Sequence, residues 1–163
     1  MAPIPRVGGV PDEAGGGFGR ALAIGPLDDD RFADLAVGAT GDFIGDYEGG
    51  SVIVLRGSPG GLTTDGPGRR RLHADLPGLP GSVKDEGSFG GAVAVAYVQG
   101  GQQANLIVGS PWGLISGVRA GRINQFARSA TGPETWNSRS FDQSTRGLIG
   151  QPHRSDGFGS DVG

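Results

Sequence analysis

A repeat of about seventy residues constrains this chain more than any other feature of its sequence. Phe18-Gly19 precedes the apolar run ALAI, Phe89-Gly90 precedes AVAVAYV 71 residues later, and Phe158-Gly159 comes 69 residues after that. The register holds inside the unit. Gly38-Ala39-Thr40 aligns with Gly109-Ser110-Pro111 and Gly50 with Gly121, both at 71, while GLPG at 78–81 aligns with GLIG at 147–150 at 69. Landmarks in one fixed order mean that one supersecondary unit is used twice. Such units bury their apolar faces against their neighbours.

Each unit reads as four short strands. In the first they are Ala21–Ile24, Leu35–Gly38, Val52–Leu55 and a weaker one near Arg70–Ala74. The runs are 4–8 residues long, most are rich in β-branched residues, and Gly, Pro and Asp bound them. VIVL at 52–55 is apolar at every position, as expected of a strand covered on both faces. The fold class is therefore all-β: a partial β-propeller of about two four-stranded antiparallel blades. A β-sandwich of the same strands is the alternative, and it leaves the long repeat unexplained.

Composition removes several function classes. The 34 glycines and 11 prolines would suggest low complexity were they not interrupted by apolar runs. A net charge of −3 gives no electrostatic case for nucleic acid. No run approaches the roughly 18 apolar residues of a membrane span. There are no cysteines, hence no disulfides or thiolate metal sites. The N-terminal stretch lacks the basic and apolar regions of a secretory signal. His73 and His153 occupy non-equivalent repeat positions, and no Ser/His/Asp arrangement or phosphate-cradling loop is present. The chain reads as non-enzymatic.

The stretches FGRALAIG, DDDRFADLAVGAT and GGSVIVLRGSPGGL resemble the FG-GAP repeat of integrin α-subunit propellers and of secreted bacterial proteins with similar arrays. Phe18-Gly19 and Phe89-Gly90 match the Phe-Gly element. Gly38-Ala39-Thr40 and Gly109-Ser110-Pro111 match the Gly-Ala-Pro element with one substitution each. The resemblance divides the chain into the end of a preceding repeat (1–17), repeat 1 (18–88), repeat 2 (89–157) and the start of a third (158–163). It implies a ring of about seven blades, so the chain is read as part of a longer array. The alternative is a short chain that assembles a ring from copies of itself.

The sequence IGPLDDDRFADLAVGAT (24–40) crowds Asp28, Asp29, Asp30 and Asp34 against a strand. Each like-charge pair at ~4 Å costs roughly 1 kcal/mol in water and more at lower dielectric. The resemblance implies a Ca²⁺ loop here, with hard oxygen ligands at alternate positions. With the last ligand on Asp34, the others fall on Asp28, Asp30 and the Phe32 carbonyl. The first ligand position is Pro26, which offers no side-chain oxygen, and the usual turn glycine is Arg31. A weak calcium site is the most this loop supports. The competing reading is a metal-free loop in which Arg31 partly neutralises Asp28 and Asp30, with Asp29 facing solvent. In repeat 2 the same count from Asn105 meets Gly101, Gln99 and Tyr97, so no calcium is expected there.

Other features have plainer readings. Asp42, Asp46 and Glu48 read as a solvated acidic loop, or as a ligand-facing rim. Arg69-Arg70-Arg71 reads as a solvated basic face. Trp112 and Trp136 are each placed between blades or on a rim, and the resemblance puts Trp136 near the outermost strand. By resemblance, the chain is an extracellular, secreted binding or adhesion scaffold for a protein or carbohydrate ligand, completed by further repeats in cis or by copies of itself. The alternative is an accessory propeller of a secreted phospholipase- or esterase-like hydrolase whose catalytic domain lies elsewhere.

Overall fold

The computed structural model describes residues 16–64, 69–98 and 103–163. Strands β1 (Phe18–Gly25), β2 (Asp34–Ala39), β5 (Ser51–Leu55) and β6 (Arg70–Leu72) form one four-stranded sheet in the order β1-β2-β5-β6. Strands β7 (Ala92–Ala96), β8 (Asn105–Ser110), β11 (Arg122–Ser129) and β12 (Gly132–Phe141) form a second, β7-β8-β11-β12. All pairings within both sheets are antiparallel. Two-residue hairpins join the second and third strands of each sheet: β3 (Phe43–Ile44) with β4 (Tyr47–Glu48), and β9 (Leu114–Ile115) with β10 (Val118–Arg119). Strands β2, β3, β4 and β8, β9, β10 start at positions 71 apart, as the repeat requires.

The sheets stack through alternate side chains. Register pairs Leu22 with Val37 and Val37 with Ile53, placing these on one face of the first sheet. Ala36, Val52, Val54 and Leu72 therefore lie on the other, and they pack with Leu106, Val108 and Phe126 of the second sheet. Phe89 and Phe126 meet edge to face at 6.3 Å in this core. VIVL is covered on both faces as expected: Val37, Ile53 and Leu55 form a separate buried cluster on the opposite side. Two ion pairs bridge the sheets, Arg70–Glu134 at 2.6 Å and Arg128–Asp29 at 2.8 Å.

The Phe-Gly element turns out to be a seam. Phe89 forms a parallel bridge with Gly50 of the first sheet, and its N–H donates to the Gly49 carbonyl at 3.0 Å. Phe158 repeats both contacts with Gly121 and Ala120. Phe89 is wholly buried, whereas Phe18 is 49% exposed. Gly38 must lack a side chain because the Gly90 carbonyl presses on its α-carbon, and Gly109 repeats this against Gly159.

Several local expectations change. The fourth strand of the first sheet is only Arg70–Leu72. The basic run is not a solvated face: Arg70 binds Glu134 and Thr131, and Arg71 binds Asp42 and the Phe43 carbonyl. Asp42 is buried, accepting from Ser51 and Arg71, so only Asp46 and Glu48 of that patch are solvated. Trp136 stands on the edge strand β12, 76% exposed. Trp112 is about half exposed beside Gly87.

Candidate functional site

The acidic loop joins β1 to β2, at the end of the sheet where Gly25 pairs with Asp34. Its shape is set by carboxylates capping backbone N–H groups. Asp28 Oδ1 accepts from Asp30 N at 2.9 Å and Asp30 Oδ1 from Phe32 N at 2.7 Å, two successive Asx turns. Asp34, buried at the start of β2, accepts from Leu27 N at 2.8 Å with Oδ2 and from Gly57 N at 2.9 Å with Oδ1. The remaining oxygens, Asp28 Oδ2 and Asp30 Oδ2, face Arg56 Nε at 2.6 and 3.2 Å. Burial pushes the Asp28 carboxyl above its ordinary range, and the Asp34 and Asp30 charges add to this. The Asp30 N–H and the Arg56 guanidinium oppose it.

The sequence thus brings Asp28, Asp30 and Asp34 into one turn but misassigns the charge that answers them. Arg31 points elsewhere, its guanidinium lying 5.2 Å from the Phe32 ring centroid. Nor does it take a left-handed conformation: among the described residues, positive φ outside glycine occurs at Ser88, Ser116 and Ser155. Asp29 is not simply solvated, since it pairs with Arg128 of the second sheet. Phe32 contributes its N–H to the turn. Pro26 precedes the buried Leu27.

A calcium ion would have to compete with Arg56 for the outward oxygens of Asp28 and Asp30. Asp34 spends both oxygens on backbone N–H donors, and Asp28 and Asp30 are held by a cation of the chain itself. Among the described residues no three His, Asp or Glu side chains converge as a metal site. With Arg56 seated against Asp28 and Asp30, the loop offers the ion no open position between them. For the second repeat, Gln99 and Gly101 lie outside the described residues, while Asn105 Oδ1 accepts from Gln125 Nε2 at 3.1 Å.

At the other end of the sheets lie the hairpins β3–β4 and β9–β10 and the Phe-Gly seams. There Phe43, Tyr47 and Trp112 are exposed aromatics, and Lys84 lies 5.8 Å from the Tyr47 ring centroid. The second hairpin turns through Ser116 (φ 50°) and Gly117 (φ 84°), as a tight two-residue turn demands. Beneath it, Glu86 pairs with Arg122 in a buried site that pattern reading did not single out. Arg122 also donates to the Pro80 carbonyl at 2.8 Å. Glu86 Oε2, Arg122 Nε and the nearby Ser110 hydroxyl lack a hydrogen-bond partner of good geometry. Burial raises the Glu86 carboxyl above its ordinary value, and Arg122 opposes the rise.

No protein-family model matches this sequence, and no curated protein matches it.

Proposed function

We propose that this chain is a segment of an FG-GAP-type β-propeller serving as a non-enzymatic, extracellular binding or adhesion scaffold. The observation that carries this reading is the repeated seam. The second and third Phe-Gly elements bridge to the preceding sheet at the same repeat position, Phe89 at Gly50 and Phe158 at Gly121. A seam of this kind adds one sheet after another at a constant offset, which is how blades follow one another in a ring. Further repeats in cis, or copies of this chain, would complete it.

The hairpin end is the recognition surface in this reading. Aromatic side chains on short, rigid hairpins offer contact area at low entropic cost and suit a protein or carbohydrate ligand. The test is retention of the purified chain on immobilised extracellular-matrix proteins and on an oligosaccharide panel. Retention should be lost in a Tyr47→Ser, Trp112→Ser double variant and kept in Trp136→Ser, which alters the sheet edge. Retention on none of these surfaces, or equal retention by all variants, overturns the proposal.

A further inference from the structure

The loop at 26–34 carries a charge problem that its own residues do not solve. Asp28, Asp30 and Asp34 fall within seven positions, and Asp28 and Asp34 are buried. Backbone donors satisfy four of their six oxygens. These donors fix geometry but bring no net charge. The cation comes from across the sheet.

Arg56 and Gly57 dock on the loop as one piece. Arg56 directly follows Leu55, the last residue of β5, so pairing of β5 with β2 fixes where it emerges. Its backbone is pinned from the other side, where its carbonyl accepts from Thr63 N at 2.8 Å and Thr63 Oγ1 at 3.0 Å. Gly57 then gives its N–H to Asp34, and a side chain at that position would run into the Ala33 carbonyl. The guanidinium is left between Asp28 and Asp30, touching the two oxygens that no backbone group serves.

The second repeat supplies an independent comparison. Seventy-one residues on, Arg56 becomes Ala127, and Asp28, Asp30 and Asp34 become Gln99, Gly101 and Asn105. Arginine and carboxylates disappear together. At this position the chain keeps both halves of the charge balance or neither.

We propose that Arg56 is the resident cation of this loop. It stands where a divalent ion would otherwise bridge Asp28 and Asp30, so the loop holds its shape without metal and takes up calcium only when the guanidinium is removed. A covalently supplied charge has no dissociation equilibrium, which makes this end of the sheet indifferent to the calcium level around it. The inference does not depend on which ligand, if any, the hairpin end binds.

Thermal unfolding of the wild type and of Arg56→Gln, in excess chelator and in about 5 mM CaCl₂, tests it. That calcium level exceeds the roughly 10⁻⁴–10⁻³ M range of extracellular calcium modules. The wild type should melt at the same temperature in both and give no heat on calorimetric titration with CaCl₂. Arg56→Gln should melt roughly 5–10 °C lower in chelator and recover most of that loss in calcium. Arg69→Gln, a change outside the loop, controls for loss of a positive charge in general. If Arg56→Gln does not fold in chelator, refolding on addition of CaCl₂ is the equivalent supporting result. Calcium binding by the wild type overturns the proposal. So does an Arg56→Gln variant that calcium fails to rescue, or one no less stable than Arg69→Gln.

Discussion

Replacing Phe89 by alanine tests the stacking of the two sheets more directly than any other single change. The ring is fully buried, lies edge to face with Phe126 at 6.3 Å, and belongs to the core shared by both sheets. Removing a buried phenyl group costs about 3–5 kcal/mol, from lost transfer energy plus the cavity left behind. That is a large share of the roughly 5–15 kcal/mol that holds an ordinary domain together. Phe18 occupies the same repeat position and provides the control. It is 49% exposed, so truncating it removes a contact that is only half made and should cost about 1 kcal/mol or less. In urea, with a slope of about 2 kcal/mol/M, the Phe89→Ala midpoint should fall by roughly 1.5–2.5 M and the Phe18→Ala midpoint by about 0.5 M or less. The slope itself should stay constant if only the native state is affected. Equal shifts for the two variants would refute the stacking, because Phe89 is buried in the core shared by both sheets and Phe18 is half exposed.

Gly38→Ala should destabilise by more than the ordinary cost of a surface change, because the new methyl meets the Gly90 carbonyl rather than a movable side chain. Gly45→Ala, where the position is open, should fold normally apart from the strain of its positive φ of 60°; circular dichroism melts distinguish the two. Arg122→Met leaves the Glu86 carboxylate buried without its partner and should cost about 3–5 kcal/mol by urea titration. The Glu86 carboxyl also sets a pH dependence. Its folded value lies above the ordinary 4.5, so the folded state binds the proton more tightly and this group's contribution to stability falls as pH rises upward from 4.5. Glu86→Gln should therefore gain stability relative to the wild type as pH increases above that point, and parallel urea-midpoint profiles would contradict the assignment.

The strands were legible because their signal is local. ALAI, DLAVG, SVIVL and NLIVG are short apolar runs between turn residues, and each lies within an observed strand. Strand β12 was harder to read. It is a polar edge strand, GPETWNSRSF, whose pairing with β11 slips between Gln125 and Ala127, so no clean alternation survives. The acidic loop shows the opposite balance. Its carboxylates were evident from spacing, but their partners are Arg56 and Arg128, one across the sheet and one on the next sheet. Arg31 was the nearest charge in sequence and not the nearest in space. One signal was available: the shared loss of Arg56 and the aspartates between repeats. Glu86 and Arg122 left no such trace, because the equivalent of Arg122 in the first repeat is Ser51, which serves Asp42 instead.

The seam has a consequence for how this architecture is cut. Phe89 opens the second unit by spelling but is joined by its backbone to the first. The period of the text and the period of the fold are out of step by one short segment. An excision made at the textual boundary, between Ser88 and Phe89, would leave one product missing its keystone and the other carrying a bare phenyl ring. A cut placed just after Gly90 would keep the keystone with the arch it closes.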